Sequence, residues 1–216
     1  MTEPSGARRQ PRRPVVVPVA SLLTVTAVGI TALLGGLEEV DIVEPLGQGA
    51  VYDQGLYTTK FVEAKVSVEK GEFSWEEDKR FVEMIFEVTN ESDETKLVGF
   101  PPSRPSIVGD AFAGSLLKIT PPIKEGKGPF AFALAKDGQT SQLHPGMTSK
   151  VVIRFRLDPG EQPPKKMVLD VGAFEEEPGF QDPTIRWQPV TEKVDNKFRP
   201  KVKARVTLPV KPEEPA

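Results

Sequence analysis

The sequence predicts an all-β sandwich of seven to nine antiparallel strands, preceded by one N-terminal transmembrane α-helix. Three observations lead to this prediction. Residues 15–37 carry no charged side chain and follow an arginine-rich tail. Several later segments alternate apolar and charged residues with a period of two, the pattern of half-buried strands. The chain of 216 residues also contains 22 prolines and 18 glycines, which favour short strands and turns over long helices.

The uncharged run at residues 15–37 predicts the membrane helix, because about 20 apolar residues are enough to cross the hydrocarbon core of a bilayer. A cleaved signal peptide is the alternative, but its apolar region is usually only about 7–15 residues long. The run also lacks a good small-residue cleavage site, so we expect an uncleaved anchor. The chain has no cysteine to carry a lipid. The apolar residues expected to contact lipid include Val15, Leu22, Leu23, Val28, Ile30, Leu33 and Leu34.

Charge on the two sides of this run predicts its direction in the membrane. The preceding tail is basic, and the segment that follows opens with acidic residues. Positive charge is retained on the cytoplasmic side, so residues 1–14 are expected inside and the rest of the chain outside. The outer part divides into a stalk at residues 38–57, a sandwich at 58–209 and a disordered tail at 210–216. The topology-setting residues are Arg8, Arg9, Arg12 and Arg13.

Alternating segments and the turns between them predict the strands of the outer domain. Each alternating segment presents one apolar and one polar face, as expected of antiparallel strands with one buried side. The clearest are residues 62–68, 82–88, 151–157, 167–173 and 202–208, and weaker ones are 95–100, 116–120, 130–135 and 184–188. Short strands at this spacing predict a sandwich of the immunoglobulin type.

Two short motifs resemble a known family. A strand ends in Val88-Thr89-Asn90, and the turn Leu143-His144-Pro145-Gly146 leads into the strand that begins at Val151. This order resembles the telokin-like, immunoglobulin-type extracytoplasmic domains of many bacterial lipoproteins and membrane-anchored proteins, over roughly residues 58–175. The resemblance implies a sandwich fold and the binding of partners at the cell envelope.

Composition excludes several classes of function. The chain has a net charge of −3, and its basic tail makes the remainder more acidic still, which argues against nucleic-acid binding. The lack of cysteine removes thiol catalysis and thiolate metal sites. No cofactor is expected, because no residue pattern for binding one is present.

The loop that follows residues 62–68 contains the best candidates for partner binding. Phe73 and Trp75 are aromatic residues in a predicted loop, and Glu76 and Glu77 follow them directly. Aromatic residues on loops are frequent anchors of protein interfaces. The alternative is that the two rings cap the core of the sandwich.

Three other features have weaker functional interpretations. His144 is the only histidine and lies near Ser141, yet no nucleophile elbow is present, so a turn is expected there. Residues 175–177 are three glutamates, followed by Asp182, and could bind calcium through their carboxylates, although a solvated charge run is the simpler interpretation. Residues 90–92 match a glycosylation sequon.

These features together predict a non-catalytic binding or accessory module, anchored in the membrane and associated with a larger envelope or transport complex. Its expected partners are membrane lipid and an envelope protein. The alternatives are a receptor domain that binds a ligand or ion with its loops, and an envelope hydrolase.

Overall fold

The computed structural model describes residues 42–71, 73, 75–104, 108–178 and 184–213. They belong to a compact unit that begins at Ile42. The predicted cytoplasmic tail, membrane helix and first residues of the stalk lie outside the described residues. Within the described ranges, no helix is long and apolar enough to cross a membrane.

The described chain is almost entirely β structure, which confirms the all-β prediction. It contains sixteen strands and one 3₁₀ turn, Phe112–Ser115, so the predicted number of seven to nine strands was too low. In chain order the strands are β1 (Glu44–Gly47), β2 (Val51–Asp53), β3 (Tyr57–Glu69), β4 (Lys79–Asn90), β5 (Lys96–Leu97), β6 (Leu116–Thr120), β7 (Phe130–Ala135), β8 (Gly138–Thr140), β9 (Gln142–Leu143), β10 (Thr148–Arg156), β11 (Lys166–Val171), β12 (Phe174–Pro178), β13 (Ile185–Pro189), β14 (Thr191–Val194), β15 (Lys197–Pro200) and β16 (Ala204–Lys211).

One large sheet contains ten of these strands. Its order is β6-β11-β16-β3-β4-β10-β7-β8, with β1 paired to β16 and β2 paired to β3. The neighbours are antiparallel, as predicted, except that β16 pairs in parallel with both β1 and β3. The β16–β3 pairing involves only Val210 and Lys211 at the end of β16. Strand β16 therefore links the β6–β11 part of the sheet to the β3–β4–β10–β7 part.

The apolar core combines residues from both parts of this sheet. Inward-facing side chains of β3, β4 and β10 pack with those of β11 and β16 in a single cluster. The predicted alternation is confirmed in β4, where Val82, Met84, Phe86 and Val88 are all fully buried. A core between two parts of a folded sheet is consistent with a β-sandwich.

A bulge in β3 changes which of its residues face the apolar core. The register with β4 shifts between Phe61 and Glu63, so Val62 is an extra residue. Such a bulge changes which face the following residues occupy. Consequently Phe61 before the bulge and Ala64 after it are both fully buried.

The folded unit includes most of the segment predicted to be a stalk. Strands β1 and β2 lie in it, and the buried Leu56 belongs to the core. Gln54 is buried as well: its Nε2 donates to the Gly172 carbonyl at 3.0 Å, and its Oε1 accepts from the Thr59 hydroxyl at 2.6 Å. The domain thus begins before residue 58, and β16 continues to Lys211 rather than ending at 209. These short strands lack a long alternating pattern, which is why sequence alone missed them.

Candidate functional site

The two longest strands, β3 and β4, form a hairpin, and the candidate site lies at the end where a loop connects them. Their pairing runs from Tyr57 and Asn90 to Glu69 and Lys79. Residues 70–78 connect the strands, and we refer to them as the hairpin loop. This loop contains all four of the predicted partner-binding residues, which therefore lie in a loop, as the sequence predicted.

The aromatic residues of the hairpin loop stack on each other. The rings of Phe73 and Trp75 have centroids 4.7 Å apart and an interplanar angle of 4°. Their relative exposures are 54% and 79%, so neither ring belongs to the apolar core. A pair of large, exposed rings with one fixed relative orientation presents apolar area at little entropic cost to a partner.

The acidic residues of the loop differ in their contacts. Glu76 forms an ion pair with Lys79, the first residue of β4, and its amide donates to the Phe73 carbonyl at 2.9 Å. Glu77 is exposed. The ion pair to Lys79 therefore connects the loop to the surface of the sheet.

A cleft of about 250 Å³ lies on the outer surface of the sheet at the same end of the hairpin. We call it the arginine cleft. Its lining residues are Glu69, Lys79, Phe81, Phe130, Arg154 and Arg156. Lys79 is common to the cleft and to the ion pair with Glu76, so the two features adjoin.

Arg154 forms one wall of the arginine cleft and is held from several sides. Its guanidinium carbon lies 4.3 Å from the centroid of the Phe81 ring and 5.5 Å from that of Phe132. Its terminal nitrogens approach Glu69 at 3.0 Å and Glu83 at 3.7 Å. These cation–π and ionic contacts fix the guanidinium in place. The buried Nε of Arg154 has no hydrogen-bond partner among the described residues.

Arg156 lies two residues further along β10, on the same face as Arg154, because side chains of a strand alternate between faces. Its amide donates to the Lys127 carbonyl at 2.8 Å. Its guanidinium is part of a half-buried side chain and forms no ion pair within the part of the chain that the structure describes. The sequence showed both arginines on the charged face of their strand but did not identify the cleft.

The other candidate residues do not lie in this site. His144 is exposed, and its Nδ1 lies 3.2 Å from the Thr95 hydroxyl. The exposed Glu175 and Glu177 belong to β12, which pairs with β13. Asp182 lies outside the described residues. The described part of the chain contains no group of three or more histidine or acidic residues placed to hold a metal ion.

A second, more polar cavity of about 550 Å³ lies elsewhere, next to β13. Its residues include Lys96, whose ammonium contacts Asp110 at 3.0 Å and Glu94 at 3.1 Å. Burial alone would lower the pKa of Lys96, but the hydrogen bonds to Asp110 and Glu94 raise it overall. Trp187 contributes a half-buried ring to the same cavity. The Lys96 charge is thus already balanced by acidic neighbours.

Comparison of the whole chain with family models, curated proteins and solved structures finds no match in any of the three. The functional argument therefore depends on the geometry of the hairpin loop and the arginine cleft.

Proposed function

We propose that this protein is a membrane-tethered accessory module that binds a protein partner in a larger envelope or transport complex and does not itself catalyse a reaction. Its outer domain, in this proposal, is an immunoglobulin-like sandwich. The uncharged run at residues 15–37 provides the tether, and the arginines before it keep the N-terminus in the cytoplasm. The outer domain then faces away from the cytoplasm.

The observation that carries the proposal is the exposed stack of Phe73 and Trp75 at the end of the β3–β4 hairpin. Large aromatic side chains dominate the energetics of protein interfaces when a partner buries them. The stack adjoins a cleft with aromatic and cationic walls, which adds polar groups of defined position. An apolar centre with polar neighbours is the usual composition of a binding surface.

The contact between Asn90 and the turn before β10 also supports an immunoglobulin-like domain of the telokin-like type. The Asn90 side chain donates from its Nδ2 to the Leu143 carbonyl at 2.9 Å, and the Gly146 amide donates to the Asn90 carbonyl at 2.8 Å. The two motifs that carry the resemblance therefore contact each other directly.

Co-purification tests this function. The full chain is expressed in its membrane and extracted in mild detergent, and proteins recovered with it are compared between variants. The double variant F73A/W75A should lose the partner, whereas F198A should retain it. Phe198 is a suitable control because it is 73% exposed but belongs to β15 and not to the hairpin loop. Recovery of the wild-type protein alone at every expression level would count against the proposal.

The polar cavity at Lys96 supports a second candidate, a receptor domain for a small ligand. Its volume falls in the range of known ligand pockets, about 300–1,000 Å³. A ligand that binds the folded state raises the melting temperature. A panel of amino acids, sugars and divalent cations should then include a compound that stabilises the wild-type protein but not K96M. No stabilisation by any compound would leave the receptor function without support.

A further inference from the structure

We infer that the arginine cleft binds a carboxylate carried by an acidic segment of the partner protein. This inference rests on the proposed function and specifies the chemistry of the partner. The cleft is lined by three cationic side chains, of which Lys79 and Arg154 form ion pairs with glutamates, whereas Arg156 has no carboxylate partner among the described residues. Charge complementarity therefore favours a negatively charged occupant at this position.

The two arginines of the cleft differ in how their charge is balanced. Arg154 contacts both Glu69 and Glu83, so its charge is compensated within the domain. Arg156 has no carboxylate partner among the described residues, yet its side chain is half-buried. A partly desolvated guanidinium without a counter-ion gains most from an incoming carboxylate, since no internal ion pair must be broken.

The aromatic walls of the cleft indicate which side chains should flank this carboxylate in the partner segment. The rings of Phe81 and Phe130 meet edge to face, with centroids 6.5 Å apart. Phe130 is 46% exposed at the rim of the cleft, so it offers apolar area that a ligand can cover. An acidic residue with an aromatic or aliphatic neighbour matches both the free guanidinium and this ring. A bare inorganic anion would leave the ring uncovered.

The position of the cleft connects it to the proposed interface. Lys79 lines the cleft and pairs with Glu76, which belongs to the same loop as Phe73 and Trp75. A single segment of the partner can thus contact the aromatic stack and insert an acidic side chain into the cleft. The stack would supply most of the apolar contact, and the cleft would fix the register of the segment.

A peptide titration of the full chain in detergent tests the inference. The probe is a fluorescently labelled peptide, acetyl-Gly-Phe-Glu-Phe-Gly-amide, and its control contains Gln in place of Glu. Charge-assisted hydrogen bonds have about twice the strength of neutral ones, so the Glu peptide should bind about tenfold more tightly at low salt. This difference should shrink as salt is added, because the site is partly exposed.

Variants of the protein locate the bound carboxylate. R156Q should remove the preference for the Glu peptide, and R156K should retain only part of it, because lysine keeps the charge but lacks the planar guanidinium fork. The matched control is R199Q, which removes an exposed arginine on β15 and should leave the preference unchanged. Thermal melts show whether each variant is folded. If a variant does not fold, the comparison of the two peptides on the wild-type protein still tests the inference.

Three results of the peptide titrations would overturn the inference. These are equal affinity for the two peptides, no binding of either at millimolar concentration, and an R156Q protein that still prefers the Glu peptide. Competition by inorganic phosphate alone, lost in R156Q, would show a general oxyanion site and would also overturn the claim for an acidic segment. If partner recovery still depends on Phe73 and Trp75 after such a result, the proposed function stands and only the carboxylate site fails.

Discussion

Asn90 joins the end of β4 to the turn before β10 through its side chain. The side chain is fully buried, and its Nδ2 donates to the carbonyls of Glu94 at 2.7 Å and Leu143 at 2.9 Å. Its Oδ1 accepts from the Ser92 amide at 3.1 Å and from the Ser92 hydroxyl at 2.8 Å. Residues 90–92 match a glycosylation sequon, but the Asn90 nitrogen that would carry the glycan already donates two hydrogen bonds. The folded domain therefore does not present this nitrogen for glycosylation.

Replacing Asn90 with alanine should destabilise the domain by about 2–4 kcal/mol, because buried carbonyls and the Ser92 donors would lose their partner. Urea denaturation followed by circular dichroism measures the change in the free energy of unfolding. The exposed Gln188 on β13 provides the control, and Q188A should change stability by less than about 0.5 kcal/mol. Similar unfolding midpoints for the two variants would contradict this role of Asn90.

The chemistry of single side chains was only partly predictable from the sequence. Phe73 and Trp75 could be recognised because aromatic residues in a charged loop are unusual, and the structure confirms their exposure. The lack of a carboxylate partner for Arg156 among the described residues could not be predicted from the sequence. Which arginine of β10 finds a carboxylate depends on the register of β10 with β4 and of β4 with β3, and these pairings join residues far apart in the chain.

At the scale of elements, the turn between β2 and β3 depends on a glycine. Gly55 has a φ of 81°, and a Cβ atom added to it would lie 2.3 Å from the carbonyl oxygen of Phe174. The turn therefore needs both a left-handed backbone and the absence of a side chain, since it packs against the start of β12.

Comparison of G55A with G49A separates these two requirements. Gly49 has nearly the same φ, 82°, but nothing lies within 4 Å of its added Cβ. G49A should cost about 1 kcal/mol from the backbone conformation alone. G55A should cost about 1–3 kcal/mol more, because the backbone of β12 must move. Chemical denaturation of both variants measures the difference, and equal losses would show that the contact with Phe174 relaxes freely.

The strands that sequence predicted best are the long ones with a clear alternation. In β10, Ile153 and Phe155 are buried while Arg154 between them faces outward, as the pattern indicates. Strands β14 and β15 were missed, although Asp195 and Asn196 between them have φ values of 50° and 61°. Aspartate and asparagine at consecutive positions favour such a turn, so the signal was present in the sequence.

For the whole molecule, the structure predicts where a stable soluble fragment must begin. A fragment of residues 42–213 should fold, whereas one that begins at residue 58 should not form a cooperative domain. The shorter fragment lacks β1, β2 and the buried Leu56 and Tyr57. Tyr57 packs edge to face against Phe112 and Phe174, and its hydroxyl donates to the Asp110 carbonyl at 2.6 Å. Burial, together with the charge of Asp110, raises the pKa of that hydroxyl above its usual range.

Thermal melts followed by circular dichroism compare the two fragments. Loss of Tyr57 alone should cost about 3–5 kcal/mol by analogy with other large buried aromatic residues, a large share of the stability of a domain. Matching cooperative transitions for the two fragments would show that residues 42–57 are dispensable. The membrane helix at residues 15–37 and the orientation set by its arginines stay predictions, because these residues lie outside the described part of the chain.

Strand β16 also determines at what stage of protein synthesis the core of the domain can close. It contributes Ala204, Val206 and Leu208 to the core and pairs with β1, β11 and β3, all of which precede it in the chain. A ribosome makes residues 44–171 well before it reaches residue 204. The nascent domain therefore has an open core and unpaired strand edges until its last described strand emerges. Chaperones would therefore meet an incompletely folded chain throughout most of its synthesis.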